Sequence, residues 1–404
     1  MARWLAAVLA GGWIVAAGAA SAQAADRGVR IGVLTDLSGA YSETNGQGDV
    51  IAAQMAIDDF GGKVLGKPIE LISGDHLNKA DVGAGIARKW FDVDGVDAIV
   101  DVPNSAVALA VNQVAREKKK VFLATGAATP DLTGKACSPT TVHWTYDTWM
   151  LAHGTGGAIV RNGGDTWFFL TADYAFGHAL EHDTGEVVEA SGGKVLGAVR
   201  APLNTSDFSS FLLQAQASKA KVVGLANAGT DTINSIKQAQ EFGIVAHGQK
   251  LAGLLVTITD VKALGLNAAQ GLTFTTPFYW DVNDATRAWS RRFAERANGK
   301  LPNMMDAGAY SAVLHYLKAI AASGTDDGPT VVARMKAMPT DDPVFGKGEV
   351  RPDGREIHPV YLVEVKKPAE STGPWDLAWI RRTIPAQQAF RPLSESACPL
   401  LQRN

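Results

Sequence analysis

Cysteine is nearly absent from this chain. Two thiols, Cys137 and Cys398, stand among 404 residues, too few for a disulfide-built scaffold or for clustered thiolate zinc sites. Excess charge of one sign is missing as well. Lys and Arg total 38 against 41 Asp and Glu, a formal net charge of −3. That balance carries no nucleic-acid footprint. Beyond the first residues, no apolar run of spanning length follows. The common catalytic signatures are missing too. There is no G-x-S-x-G elbow, no Walker A loop and no complete G-x-G-x-x-G. The segment Gly154-Thr155-Gly156-Gly157 has Ile159 where the last glycine belongs, and it lies inside a helical pattern. What is present is ordinary for a folded protein: 46% hydrophobic and 20% charged residues. This excludes wholesale disorder. The length corresponds to about two to three domains.

The N-terminus reads as an export signal. Arg3 precedes an apolar run from Trp4 to Ala20, and Ala22-Gln23-Ala24 puts small residues where a signal peptidase reads them. Cleavage is expected after Ala24 or Ala25, delivering the mature chain to a bacterial periplasm. A membrane anchor is the alternative, but the run is rich in Ala and Gly. In an oxidising compartment one bridge between Cys137 and Cys398 becomes the expected state, with two free thiols as the alternative.

From Arg30 onward, short apolar strands alternate with amphipathic helices. Strands are expected at Arg30–Leu34, Pro68–Ser73, Asp97–Asp101 and Val121–Ala124, with helices between them. The rhythm restarts near Asp147, with strands at Thr166–Thr171, Lys194–Val199, Lys221–Ala226 and from Lys250. Such alternation implies parallel sheets with right-handed crossovers, here in two successive α/β lobes. The last third departs from this pattern, and its strands pass back through both lobes.

One catalytic pattern matches formally. His178-Ala179-Leu180-Glu181-His182 is H-x-x-E-H, and two histidines four apart share a helix face. An exported metal hydrolase would use it. The chain supplies no clear third ligand downstream, so exposed histidines on a cover helix are the plainer account.

The opening strand-loop-helix carries Ser38-Gly39, then Gly46 and Gly48 before a helix ending Asp58-Asp59-Phe60-Gly61-Gly62. Further on stand Asp75-His76-Leu77-Asn78-Lys79-Ala80, Asn104-Ser105-Ala106, Gly126-Ala127-Ala128-Thr129 and Asp173-Tyr174-Ala175-Phe176-Gly177. With the signal and the doubled α/β run, the chain resembles type I periplasmic solute-binding proteins, nearest the branched-chain amino-acid-binding family of ABC importers. Within that family it is most similar to a branch linked to aromatic acids such as hydroxycinnamates. The resemblance implies an α/β fold of two Rossmann-like lobes with parallel sheets and a three-segment hinge. The lobes are expected at 26–145 plus 278–345 and at 146–277 plus 346–404, with crossings near Trp144, Thr275 and Phe345. It implies no enzyme activity and no cofactor. The expected partners are a small ligand and an inner-membrane permease with its ATPase, and the chain is expected to be a monomer.

The resemblance also names a site. A serine after the third strand holds a ligand carboxylate in the family, and Ser105 matches it, beside Asn104. Ser105 reads as the cap of a helix whose free N–H groups suit a carboxylate. A main-chain carbonyl and a hydroxyl after the next strand correspond to Ala127 and Thr129. On the second lobe Phe176 replaces the tyrosine usual in amino-acid binders. No clear acidic partner for a ligand ammonium follows, although Asn227 and Thr257 end strands there. Tyr41, Tyr146, Tyr174 and Phe278 add aromatic surface, as do Trp144, Tyr279 and Trp280, and flat apolar ligands favour such walls. Asp147 and His143 lie at the first crossing, touching ligand or fastening the hinge. A small aromatic acid is the preferred ligand, a branched-chain or other amino acid the alternative. A periplasmic sensor is the reading of another class.

Overall fold

The strand Val29–Thr35 (β1) is apolar on both faces, with Ile31, Val33 and Leu34 fully buried. Such a strand fits the centre of a parallel sheet covered by helices on each side. A computed structural model describes residues 28–402 and places β1 there. The export signal expected over 1–25 lies outside the described residues. Lys63–Val64 (β2), Lys67–Asp75 (β3), Ala98–Asp101 (β4), Val121–Ala124 (β5) and Thr141–His143 (β6) complete a sheet in the order β2-β3-β1-β4-β5-β6. All pairings are parallel except the β2–β3 hairpin. Successive side chains of a strand point to opposite faces. Val33 accordingly joins the core that includes the helices Gln47–Phe60 and Met304–Ser323, whereas Leu34 joins the core under Ser105–Lys118.

The second lobe repeats the plan. Thr166–Ala172 (β7), Lys194–Ala201 (β8), Val222–Ala226 (β9) and Lys250–Gly253 (β10) form a parallel sheet in the order β10-β9-β7-β8. The returning C-terminal chain adds two antiparallel sheets. Thr273–Thr276 (β11), Val360–Val365 (β15) and Ala378–Ile384 (β16) form one, in the order β11-β15-β16. Pro339–Asp342 (β12), Gly346–Val350 (β13) and Glu356–Ile357 (β14) form the other.

That last sheet spans the expected division at 345/346. The boundary falls inside the β12–β13 hairpin, where Asp342 pairs with Gly346. His143 at the end of the first sheet also bridges in parallel to Arg355. The chain therefore passes to β15 only at His358–Pro359. Near Phe345 it is merely turning, its amide bonded to the Asp342 carboxylate at 2.9 Å. The helices Ile258–Leu264 and Gly328–Ala337, absent from the sequence reading, begin with side-chain caps from Thr257 and Asp327. The structure joins Cys137 to Cys398, which anchors the tail beside the first lobe. Among the described residues no helix is long and apolar enough to cross a membrane.

Candidate ligand cleft

The two parallel sheets point the carboxyl ends of their strands at each other, and a narrow, nearly closed cleft of about 20 Å³ lies between them. Crevices outside strand carboxyl ends are where open α/β sheets bind ligands. The loop after β1 contributes Tyr41, Thr44 and Asn45, the loop after β4 Pro103, and the loop after β5 Gly126. From the other lobe, Tyr174 and Phe176 follow β7, Ala228 and Gly229 follow β9, and Leu255, Thr257 and Asp260 follow β10. Tyr146, from the first crossing, and Met305 close the remaining sides.

Local chemistry holds these loops in place. The Asp36 carboxylate accepts the amides of Gly39 at 2.6 Å and Tyr41 at 2.9 Å, folding the β1 loop so that Tyr41 faces the cleft. At the end of β4, Asp101 and Val102 take φ of 81° and 62°. A β-branched residue in that region stores strain of about 1–3 kcal/mol, and such strain gathers at functional sites. The Tyr146 hydroxyl donates to the Gly126 carbonyl at 2.7 Å. Asp260 accepts from the amide and hydroxyl of Thr257, both at 2.8 Å, and burial still pushes its carboxyl up to about 6. No Lys, Arg or His belongs to the wall. Its surface is aromatic, with hydroxyl, amide and carboxyl groups.

The lobes also touch directly. The hydroxyls of Tyr41 and Tyr174 meet across the cleft at 2.5 Å, and burial pushes both phenols up. The Ala40 carbonyl accepts the Thr230 amide at 3.1 Å. Gly229 makes this approach feasible. Its φ is 58°, and a Cβ there would stand 2.3 Å from the Ala40 oxygen. Gly229→Val is therefore expected to force the lobes apart. Solution scattering should read a larger radius of gyration for that variant, and an unchanged radius would contradict the contact.

The sequence-derived candidates divide sharply. Tyr41, Tyr146, Tyr174, Phe176 and Thr257 line the cleft; Ser105 lies just behind its Pro103 wall, and the others are engaged elsewhere. Asn104, not Ser105, caps the helix Ser105–Lys118, its side chain accepting the amides of Ala106 and Val107. Ser105 is the first helical residue, and its Oγ is buried without a partner. The Ala127 carbonyl is taken by His143 Nε2 at 2.7 Å, and the Thr129 hydroxyl caps the turn at Pro130–Leu132. Asn227 is bound within its own lobe by Ser235 and Thr232. Asp147 caps the helix starting at Thr148, and with His143 it serves the hinge. Phe278 is core, packed edge-on against Trp289. Trp144 is core as well, its Nε1 donating to Ser311.

Sequence reasoning missed Asn45, Met305 and Leu255. Asn45 lies in the loop flagged by Gly46 and Gly48, which was the available signal. Met305 and Leu255 reach the cleft only through long-range packing and carry no local mark.

The H-x-x-E-H motif does not assemble. His178 pairs with Asp173 at 2.9 Å, while Glu181 accepts from Thr171 at 2.6 Å. His182 instead approaches Asp183 and Glu186, with donor atoms within 4.8 Å of one another. Asp183 is already held by Thr148 at 2.6 Å, with the Arg391 guanidinium 3.5 Å away. A nearby guanidinium opposes a metal cation there.

Two lobes of parallel sheet, three crossings and a wall of strand-end loops define a two-lobed solute-binding protein. The profile of the periplasmic binding protein family matches residues 28–373, and the chain belongs to that family. It is similar to a periplasmic binding protein from Burkholderia mallei, at 54% identity and a TM-score of 0.91, covering 93% of this chain and 99% of that one. A branched-chain amino acid ABC transporter periplasmic ligand-binding protein from Burkholderia xenovorans is 43% identical, with a TM-score of 0.82 over 92% of this chain and 99% of the other. A Rhodopseudomonas palustris solute-binding protein, solved in complex with 4-hydroxybenzoate, shares the fold at 24% identity. Its TM-score is 0.82 over 91% of this chain and 100% of that one.

Proposed function

We propose that this chain is the periplasmic receptor of an ABC importer and that it captures a small aromatic acid between its lobes. The observation that carries the ligand class is the aromatic wall. Tyr41 and Tyr146 face Tyr174 and Phe176 across the cleft, and the polar groups among them are few. Flat rings bury area efficiently against such walls and stack at their edges. The 4-hydroxybenzoate complex of the R. palustris protein is consistent with this fold admitting such a molecule.

The proposed lobe limits are 28–145 with 278–357, and 146–277 with 358–384. Ser105, two residues beyond the cleft-lining Pro103, is the proposed carboxylate anchor. Its hydroxyl is buried and unpartnered, and an unmet buried donor is costly until something binds it. Asn104 has already taken two amides at that helix start, leaving the Ser105 hydroxyl and amide for the ligand. Ser105→Ala is expected to weaken binding by about 1–3 kcal/mol. Phe176→Ala should cost roughly 1.5–3 kcal/mol through lost apolar burial. Titration calorimetry reads both, and unchanged affinities would remove these residues from the site.

One observation favours an amino acid instead. Asp260 lines the cleft and offers a carboxyl to a ligand ammonium, although Thr257 already donates to it twice. A thermal-shift screen of amino acids against aromatic acids separates the two. Hits from leucine or valine with silence from aromatic acids would overturn the ligand class and leave the receptor role intact.

A further inference from the structure

Beneath the cleft floor lies a group of carboxyls that ligand contact alone does not explain. Asn45, which lines the cleft, donates through one nitrogen to Asp49 at 3.0 Å and to Asp101 at 2.9 Å. Sharing that one nitrogen brings an oxygen of each carboxyl to the same point. Both are fully buried, and Asp49 Oδ1 and Asp101 Oδ2 find no donor. Two facing carboxylate oxygens repel unless a proton lies between them. Gly126 keeps this pair close to the cleft, since a Cβ there would lie 2.2 Å from Asp101 Oδ1. The floor above Asp101 is bare backbone.

We propose that Asp49 and Asp101 share one proton beneath the cleft, and that this proton links capture of an anionic ligand to pH. The second half rests on the aromatic-acid reading, which supplies the ligand's negative charge. An incoming carboxylate disfavours ionisation of the pair, so a proton is taken from solvent as the ligand enters. The surrounding groups act in the same direction. Asp36, after β1, adds negative charge from a further element, and Asp306, on the helix Met304–Ser323, adds it only as pH passes about 8, where Lys300 opposes the rise. Burial is the largest cause throughout. It holds Asp49 well above the usual carboxylate range, Asp101 at about 6 and Asp306 at about 8. Thr35 and Asn45 hydrogen bonds pull Asp101 back down.

The sign of the effect follows from proton counting. A carboxyl whose native pKa is raised binds more protons folded than unfolded between the two values. Stability therefore falls as pH rises from about 4 through 6, and on to 8 where Asp306 contributes. Asp231 and Asp260 also titrate in this window, at about 7 and about 6. The diagnostic quantity is thus the difference between wild type and Asp101→Asn or Asp49→Asn, each of which replaces the shared proton with an amide. Urea unfolding of the ligand-free chain at pH 5, 6, 7 and 8 should show a steeper loss of stability in wild type than in either variant. Equal slopes would overturn the shared proton. If both variants fail to fold, infrared spectroscopy of wild type decides, because absence of a protonated-carboxyl band at pH 6 would overturn it equally.

The linkage is read with 4-hydroxybenzoate in two buffers of different ionisation heat. Wild type should take up close to one proton and lose roughly tenfold in affinity per pH unit above the pair's titration, and Asp101→Asn should take up less. Binding without proton uptake would overturn the linkage. Failure of 4-hydroxybenzoate to bind would overturn the ligand reading and the linkage built on it, while the unfolding slopes still decide the shared proton.

Discussion

Breaking the Cys137–Cys398 bond is expected to lower the unfolding free energy by about 2–4 kcal/mol. The bond joins positions 261 residues apart. Chain entropy for a loop of that size gives roughly 5–6 kcal/mol, and measured bridges more often fall short of the entropic value. The effect acts mainly on the unfolded ensemble, where the cross-link forbids extended conformations. Both sulfurs are buried, and the Ser396 hydroxyl donates to the Thr133 carbonyl at 3.0 Å beside them. The native geometry of the tail thus has support besides the bond itself. Urea unfolding with and without reductant, and of Cys137→Ser with Cys398→Ser, measures the effect. The slope against urea should steepen as the released chain exposes more surface. A midpoint that does not move on reduction would contradict the bridge's role.

Arg355→Ala is expected to cost about 3–5 kcal/mol, the range for removing one partner of a buried ion pair. The side chain is fully buried where two crossing segments meet. Its guanidinium donates to the carbonyls of Tyr146 at 3.0 Å and Trp144 at 3.3 Å, lies 3.8 Å from the Asp147 carboxylate, and rests on the Phe390 ring at 4.2 Å. Three parts of the chain are tied by one cation: the first crossing, the third crossing and the C-terminal tail. Truncation leaves Asp147 buried without its compensating charge, and two hinge carbonyls lose their donors. Arg355→Lys should not restore stability, because an ammonium cannot reach two carbonyls and cover a ring together. Denaturant unfolding of both variants tests this. A loss below about 1 kcal/mol, the range of an exposed ion pair, would contradict it.

The Arg355 cluster also marks where sequence reading ends. Asp147 was visible as a hinge candidate because it sits at the seam between two α/β runs. Its partner was not, since nothing near Arg355 in the chain distinguishes a buried arginine from an exposed one. The same holds for the carboxylate anchor. Ser105 and Asn104 are both good capping residues, and which of them caps depends on one backbone turn. That choice settles which amides remain free. Ala127 and Thr129 stand in a suitable motif, yet His143 claims the carbonyl of one and a local turn the hydroxyl of the other.

Hydrophobic periodicity determined the strands and helices of both lobes, because period and burial are properties of neighbouring residues. Val121–Ala124 matches its expected limits. The two cysteines, with the compartment implied by the signal, pointed to their own pairing. Only the tertiary structure decided the route of the C-terminal third, where the hairpin of β12 and β13 keeps residues 346–357 beside the first sheet. Only it brought Asn45, Asp49 and Asp101 under one cleft and set Gly229 against Ala40. Those contacts join residues tens to hundreds of positions apart. They depend on how two finished lobes meet, which no local pattern of side chains encodes.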